Sequence, residues 1–311
     1  LGGWLAVISV VNNWFVRRRS FALGAATSGV HLGGALVPVL AYGIDYHGFR
    51  ITTFGIGVCM LALVPAVARV VRNRPEEYGQ HPDGDSPAQA SSQTEQAESS
   101  PEDDEPTFTV RQAMATPVFW LITFVHLSST VSIVTLSVHL VPKLTDMGQS
   151  LSGAGIVVLT YTAVAFPTQF LAGYAADRLP KPPVIFIFLV LQACGILVIG
   201  LAHSVYMAYV FAVLYGIGFG GRMPLLTAIR GDYFGRKAFA TIMGISMFPN
   251  NIAMIGAPLF AGYMFDTTGS YIVPFAAFAA LNFFGATLAL LIRRPRQFPD
   301  RRSGLPRQKM S

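Results

Sequence analysis

Apolar runs of about 20 residues recur along the whole chain, and this repetition limits the folds that the sequence can adopt. A run of that length crosses the hydrocarbon core of a bilayer as one α-helix. Only 12% of the 311 residues are charged, whereas 52% are hydrophobic and the mean hydropathy is +0.51. The sequence therefore predicts an all-α membrane protein with nine spans, at about 1–16, 21–42, 51–71, 117–141, 151–175, 183–202, 205–229, 239–264 and 271–292.

The basic residues fall on alternate loops, which sets the orientation of the spans by the positive-inside rule. Arg50 and Lys143 lie in loops of one side, and Arg222 lies inside a span. The side that we predict to be cytoplasmic carries the others: Arg17, Arg18, Arg19, Arg69, Arg72, Arg74, Arg111, Arg178, Lys181, Arg230, Arg236, Lys237, Arg293, Arg294, Arg296, Arg301, Arg302, Arg307 and Lys309. We therefore expect a multi-pass protein of the plasma membrane with its C-terminus in the cytoplasm.

Residues 73–112 differ from the spans because they are rich in Pro, Ser, Gln and acidic residues. Such a segment buries too little apolar surface to fold, so we predict a disordered cytoplasmic linker. The linker separates residues 1–72, which carry three spans, from residues 113–293, which carry six. Residues 294–311 form a basic cytoplasmic tail.

Two parts of the chain are similar to each other. The stretch WFVRRRSFALG, which ends at Gly24, resembles YFGRKAFATIMG, which ends at Gly244. The matches continue further along: Pro38 with Pro258, Asp45 with Asp266, and Gly48 with Gly269. The matched span is the second of three before the linker and the fifth of six after it. We therefore expect two parallel six-helix bundles in the full protein, and a chain here that lacks its own beginning.

Three motifs resemble those of a known family. The first is the aromatic pair and basic cluster of WFVRRRSFALG, and the second is HLVPKLTDMG, with His139, Pro142, Asp146 and Gly148. The third is GYAADRLPK, between two spans. Together they resemble permeases of the Major Facilitator Superfamily, within it the monocarboxylate and oxalate–formate antiporter branch. The resemblance implies the fold of that superfamily, with this chain equivalent to its helices 4–12.

The resemblance also implies charged loops that hold a cytoplasmic gate shut in the outward-facing state. Pro180 and Pro182 stand where the superfamily's signature has a glycine and a base, so a charged loop that only sets topology is the alternative. The gating residues implied by the resemblance are Gly173, Asp177, Arg178, Lys181, Arg17, Arg18, Asp232, Arg236 and Lys237.

The stretch GIGFGGRMP, residues 216–224, combines glycines with a charge. The glycines fit the spacing of a dinucleotide site, but the strand and the distant acid that such a site needs are missing from the sequence, so we expect close helix packing. A charge at the depth of Arg222 costs about 2.5 to 3.5 kcal/mol. All 16 acidic residues lie in loops or at helix ends. Its partner is then a backbone carbonyl near Pro224, one of the three helices expected before this chain, or a transported anion, and snorkelling is the structural alternative.

Other polar residues in the spans are further candidates. Substrate binding is predicted for Arg222 and for the following residues: His126, Tyr161, Gln169, Asn250 and Asn251. His31 and His126 are candidates for a proton relay, although a histidine bonded to a neighbouring helix is the structural alternative. No metal site or cofactor is expected, because Cys59 and Cys194 lie in apolar spans.

The sequence as a whole predicts a secondary transporter that works by alternating access. A small organic anion is the first candidate substrate, because the charge inside the spans is positive. The transporters that this chain resembles carry an arginine on the eighth helix, and the oxalate exchangers also a lysine on the eleventh. The spans at 151–175 and 239–264 hold neither residue type, so a simple monocarboxylate or oxalate is not implied. The alternatives are a permease for a neutral or amphipathic solute, and a non-transporting sensor or inactive fragment.

An enzyme is not expected, because no nucleophile, base and metal ligands converge in the sequence. We expect a monomer whose partners are a small-molecule substrate, with or without a coupling ion, and the lipid bilayer. Nucleic acid is not an expected partner, since no folded soluble domain presents the basic tail.

Overall fold

The computed structural model describes residues 7, 10–11, 14–15, 19–72, 75, 78–80, 108–176, 178–235 and 238–295. Within these ranges the chain forms eleven α-helices and no strand, which confirms the all-α prediction. The helices are α1 (Arg19–Thr27), α2 (Gly29–Ala35), α3 (Val37–His47), α4 (Phe49–Val70), α5 (Val110–Met114), α6 (Pro117–Asp146), α7 (Leu151–Ala176), α8 (Lys181–Gly200), α9 (Val205–Phe234), α10 (Phe239–Thr268) and α11 (Ile272–Ala289).

Eight segments of the described chain are long and apolar enough to cross a membrane. Helices α1 to α3 contribute to one of them, Gly24–His47, and α4 supplies Phe49–Arg69. Each helix from α6 to α11 supplies one more. Eight of the nine predicted spans are therefore confirmed. The span predicted at about 1–16 falls outside the described residues, apart from a few isolated positions.

The helix of the first segment, Gly24–His47, is interrupted twice. Ser28 separates α1 from α2, and its hydroxyl donates a hydrogen bond to the carbonyl oxygen of Ala25 at 2.6 Å. Leu36 separates α2 from α3, and Pro38 lies in the first turn of α3, where its missing N–H is not needed. Helix α3 ends at His47. The next residue, Gly48, has a φ of 79°, which suits glycine, and α4 begins directly after it.

Helices α6 to α11 form a bundle whose apolar core has two parts. Where α6 begins and α9 ends, the rings of Phe119 and Phe234 lie 6.2 Å apart between centroids, and we call this the Phe234 end. Where α6 ends and α11 begins, the rings of His139 and Tyr271 lie 5.4 Å apart, and we call this the Tyr271 end. Helix α9 packs between α7 and α8 and contributes to both parts of the core.

The described part of this bundle begins at Phe108, five residues before the predicted boundary at 113. Phe108 is 4% exposed, and its ring lies 5.7 Å from that of Phe234. Thr109 and Gln112 form a capping box that starts α5: the Gln112 backbone N–H donates to Thr109 Oγ1, and the Thr109 N–H donates to Gln112 Oε1. The last residues of the predicted linker are therefore ordered, because a helix cap and a buried ring stabilise them.

The glycines of GIGFGGRMP allow α9 to approach its neighbours closely. A Cβ on Gly216 would lie 2.6 Å from the carbonyl oxygen of Tyr161 in α7. A Cβ on Gly218 would lie 2.5 Å from the backbone nitrogen of Gln192 in α8. The segment is continuous helix with no strand before it in the described chain, so the packing interpretation is confirmed.

Helices α1 to α3 pack along α7, which joins the two groups of helices. Gly34 in α2 lies directly against Thr162 in α7. At the Tyr271 end, Ser152 Oγ donates a hydrogen bond to Asp45 Oδ2 at 2.8 Å. Small residues and single polar contacts therefore make up much of this interface.

Candidate functional site

Arg222 lies in α9 and is only 4% exposed. Its Nε and Nη1 atoms are buried without a hydrogen-bond partner. Its guanidinium carbon lies 5.9 Å from the centre of the Phe219 ring, about one turn back toward the Tyr271 end. The guanidinium lies beside Phe219 rather than at the Phe234 end, and within the described chain Nε and Nη1 form no hydrogen bond to the carbonyls near Pro224. The buried charge therefore lacks a partner in the part of the protein that the structure describes.

Arg222 lies at the end of a row of stacked aromatic rings on α9. Phe211, Tyr215 and Phe219 are spaced four residues apart and so share one face of the helix. The Tyr215 and Phe219 rings stack at 5.7 Å with an angle of 14° between their planes. Tyr161 of α7 packs edge-on against Tyr215 at 5.4 Å. The structure thus brings Tyr161, a predicted binding residue, close to Arg222 through two shared aromatic neighbours.

His31 and Gln169 complete one side of this cluster. The His31 ring of α2 meets Phe219 edge-on at 5.0 Å, and Phe219 also borders the guanidinium of Arg222. Gln169 of α7 donates from Nε2 to the carbonyl oxygen of Gly24 at 2.9 Å and to Thr27 Oγ1. The amide nitrogen of Gln169 is therefore used to hold α1 against α7, and the side chain also lies within hydrogen-bonding reach of His31.

Arg230 is a buried residue that the sequence analysis assigned to a cytoplasmic loop, and this assignment is wrong. It lies inside α9 and is 1% exposed. Its Nη1 donates to the carbonyl oxygen of Leu226 at 2.7 Å, and its Nη2 is buried without a partner. The apolar run ends near residue 229, but the helix continues to Phe234, which explains the error. The length of α9 places Arg230 within the bundle.

His126 lies in the first half of α6. It is 3% exposed, and its Nδ1 has no hydrogen-bond partner. Its role in substrate binding or proton transfer stays a prediction.

Asn250 and Asn251 lie in α10, which packs mainly against α6 and makes little contact with α9. The Asn250 Nδ2 donates to the carbonyl oxygen of Ser246 at 3.0 Å, and its Oδ1 is buried without a partner. Asn251 is half-buried. No described contact joins either side chain to Arg222, so their predicted role in substrate binding has no support in this cluster.

Two buried amides outside the predicted set, Gln192 and Asn282, lie within the six-helix bundle. Ser129 Oγ of α6 donates to Gln192 Oε1 of α8 at 2.6 Å, while Gln192 Nε2 has no partner. Asn282 of α11 is fully buried, and neither of its amide atoms is hydrogen-bonded. Single amides in apolar runs form no pattern, so sequence reasoning had no signal for them. The described residues also contain no group of His, Cys, Asp or Glu that could hold a metal ion.

The HLVPKLTDMG motif forms a contact at the Tyr271 end. His139 Nε2 lies 3.0 Å from the carbonyl oxygen of Pro258, and its Nδ1 lies 3.2 Å from the Tyr271 hydroxyl. Because a carbonyl only accepts, Nε2 carries the hydrogen, and Tyr271 donates to Nδ1. Burial and the carboxylates of Asp146 and Asp266 raise the pKa of the Tyr271 hydroxyl, which keeps it protonated as a donor. The histidine therefore ties α6 to α10 and to the start of α11.

The predicted gating residues are only partly within the described chain. Lys181, the first residue of α8, forms an ion pair with Asp232 near the end of α9. Arg178 is exposed, and its guanidinium carbon lies 3.7 Å from the centre of the Tyr174 ring. Gly173 is buried in α7. The remaining predicted gating residues lie outside the described residues: Arg17, Arg18, Asp177, Arg236 and Lys237.

We expect the Lys181–Asp232 pair to contribute little to stability, because the Asp232 side chain is 50% exposed. Exposed pairs of this kind contribute about 0.2 to 1 kcal/mol. Lys181→Glu and Asp232→Lys should each lower the thermal midpoint slightly, and the double reversal should restore it. Thermal unfolding in detergent at low and high salt measures this. A double reversal no more stable than either single variant would show that the pair does not form.

The described structure is that of an integral multi-pass membrane protein, built from apolar helices around a buried cation. The sequence model of the Major Facilitator Superfamily matches residues 2–143 and 130–309. The chain therefore belongs to the Major Facilitator Superfamily.

Individual relatives agree with this assignment. The MFS-type transporter pynF of Aspergillus niger is 29% identical over 231 residues, which cover 72% of this chain and 47% of the relative. Monocarboxylate transporter 12 of Rattus norvegicus is 25% identical over 286 residues, covering 86% and 58%. Monocarboxylate transporter 12-B of Danio rerio is 25% identical over 294 residues, covering 86% and 59%. The resemblance to the monocarboxylate branch is thus confirmed, and the chain spans about half the length of these relatives.

Proposed function

We propose that the protein is a secondary transporter of a small organic anion, and that Arg222 binds a carboxylate of the substrate. The observation that carries this proposal is a fully charged side chain, 4% exposed, with two donor nitrogens that have no partner in the described chain. An unpaired buried charge is costly, so it is retained where it meets a counter-charge or a water-filled path. The planar guanidinium suits the two oxygens of a carboxylate.

The surroundings of Arg222 fit such a site. Phe219 and Tyr161 offer apolar ring surface next to the charge, and His31 and Gln169 offer polar atoms. The relatives support the same class of substrate, since two of them are monocarboxylate transporters by name. The aromatic rings also favour a second candidate, a neutral or amphipathic solute, which would bind by ring contacts rather than by charge.

Transport would proceed by alternating access, with one group of helices tilting against the other. The interface of α1–α3 with α7 is the main described contact between the two groups, and His31 of α2 also meets Phe219 of α9. We place the Phe234 end at the cytoplasm of the plasma membrane, where the positive-inside rule puts the basic loops. The Lys181–Asp232 pair would then lie at the cytoplasmic gate, where it ties α8 to α9.

Carboxylates and their neutral amides separate the two candidate substrate classes. The protein produced from its complete gene, purified in detergent, is heated with benzoate, pyruvate or succinate, and in parallel with benzamide, pyruvamide or succinamide. A ligand that binds only the folded state raises the thermal midpoint. We expect one or more carboxylates to do so, and the matched amides to have no effect.

Equal stabilisation by an acid and its amide would favour the neutral-solute candidate and would contradict the anion proposal. The carboxylate that binds is then tested for counterflow in liposomes containing the protein. Binding without counterflow would identify a sensor rather than a transporter.

A further inference from the structure

Two buried cations, rather than one, lack a negatively charged partner in the described chain. Arg222 and Arg230 are 4% and 1% exposed, and each has a guanidinium nitrogen that is buried and unbonded. The carboxylates in the described ranges belong to Asp45, Asp146, Asp232 and Asp266, all at or near helix ends, and none of them pairs with either arginine. The described bundle therefore holds two uncompensated positive charges.

Arg230 does not reach toward the Phe234 end, as a snorkelling side chain there would. Its Nη1 bonds to the carbonyl oxygen of Leu226, which lies beside the Arg230 backbone on the same helix. The guanidinium therefore lies inside the bundle near its own level on α9 rather than beyond the helix end. Its Nη2 atom is buried and unbonded, so anchoring of the helix end in the headgroup region does not explain this side chain.

His126 lies near the level of this guanidinium. Phe119 packs against Phe234 where α6 and α9 run in opposite directions, so His126 comes at about the level of Thr227. Arg230 lies within one turn of that level, and the Nδ1 of His126 and the Nη2 of Arg230 are both buried without a hydrogen-bond partner. The backbones of Arg222 and Arg230 are roughly 12 Å apart along α9, since each residue rises about 1.5 Å, and His126 comes between their levels.

We propose that the transported anion is a dicarboxylate, with one carboxylate bound by Arg222 and the other by Arg230 and His126. This rests on the proposed function, and it adds the substrate class and a second subsite. A monocarboxylate neutralises one arginine and leaves the other as a buried charge. A dianion of suitable length neutralises both, which makes it the better complement to the described charges.

The test compares dicarboxylates with monocarboxylates of equal carbon number. The protein from its complete gene is titrated with succinate, adipate and suberate, and with butyrate, hexanoate and octanoate, above the pKa values of all carboxyl groups. At least one dicarboxylate should bind about tenfold or more tightly than its partner, as expected for one added charged contact. No advantage at any length would overturn the proposal.

Variants locate the subsites. In Arg230→Gln the ratio of dicarboxylate to monocarboxylate affinity should fall to within about twofold, whereas in Arg222→Gln both affinities should fall. Arg111→Gln, at an exposed arginine of α5, should change neither affinity. An unchanged ratio in Arg230→Gln would show that Arg230 forms no second subsite, and it would leave the proposed function intact. Unchanged affinities in Arg222→Gln would contradict the proposed function itself.

Folding of the variants does not decide the outcome. Arg230→Gln removes an uncompensated charge, so the ligand-free protein should be at least as stable thermally as the unmodified protein. If Arg230→Gln fails to fold, Arg230→Lys replaces it, since it keeps the charge but loses the planar pair of donors. A fully retained ratio in Arg230→Lys, together with a misfolded Arg230→Gln, would assign Arg230 a structural role and overturn the proposal.

Discussion

Replacing Arg222 by glutamine is expected to weaken carboxylate binding by about thirtyfold or more. Removing one member of a buried charge pair costs about 2 to 5 kcal/mol, and about 1.4 kcal/mol corresponds to a factor of ten in affinity. The large effect is expected because the guanidinium is 4% exposed, so water screens its interaction with an anion poorly. Titration of the purified protein with the carboxylate that raises its thermal midpoint measures this change.

The same substitution should have the opposite effect on the ligand-free protein. A buried guanidinium with two unbonded nitrogens destabilises the bundle, so Arg222→Gln should raise the thermal midpoint in the absence of ligand. An arginine that serves only to hold helices together would instead lower the midpoint when replaced. Arg111→Gln is the matched control, because Arg111 is an exposed arginine in α5. Unchanged affinity together with lower stability in Arg222→Gln would assign the residue a structural role.

Gly220→Ala is expected to cause a large loss of stability for a single added methyl group. A Cβ at this position would collide with the backbone of Ala165 in α7, and a backbone cannot rotate away as a side chain can. Overpacking of this kind costs about 1 to 3 kcal/mol. Thermal unfolding in detergent should show a clearly lower midpoint and less folded protein after purification.

Gly244→Ala is the matched control for this prediction. Gly244 lies in α10, and a Cβ there would meet no atom within 4 Å. Replacing an unhindered glycine inside a helix by alanine stabilises by about 0.5 to 1 kcal/mol. The two glycine variants should therefore shift the midpoint in opposite directions. Equal shifts would show that α7 and α9 are not in close contact at Gly220.

The sequence predicted the helices well because their cause is local. Each span is a run of apolar residues whose length matches the bilayer, and this property does not depend on what lies next to it. The packing role of the glycines before Arg222 was also predictable, since their motif lacked the strand that a nucleotide site requires. The burial of Arg222 followed from its place in the middle of such a run.

What the sequence did not reveal depends on contacts between distant residues. Arg230 looked like a loop residue because it follows the apolar run, and only the continuation of α9 places it inside the bundle. The start of α5 was missed although Thr109 and Gln112 carry a recognisable capping box, because the acidic and proline-rich residues before it dominate the composition. The bond of Gln169 to Gly24 was not predicted, because it joins residues far apart in the sequence.

The contact of Gly34 with Thr162 bears on how much energy a change of tilt between the two helix groups requires. A joint made of large interlocking side chains would have to be unpacked before one group could turn against the other. Here Gly34, which has no side chain, packs against Thr162. The hydrogen bond between Ser152 and Asp45 is exposed, so water can replace it. The contact of α1–α3 with α7 therefore allows the two helix groups to change their tilt with little unpacking of side chains. Bulky residues introduced along this contact should slow that change.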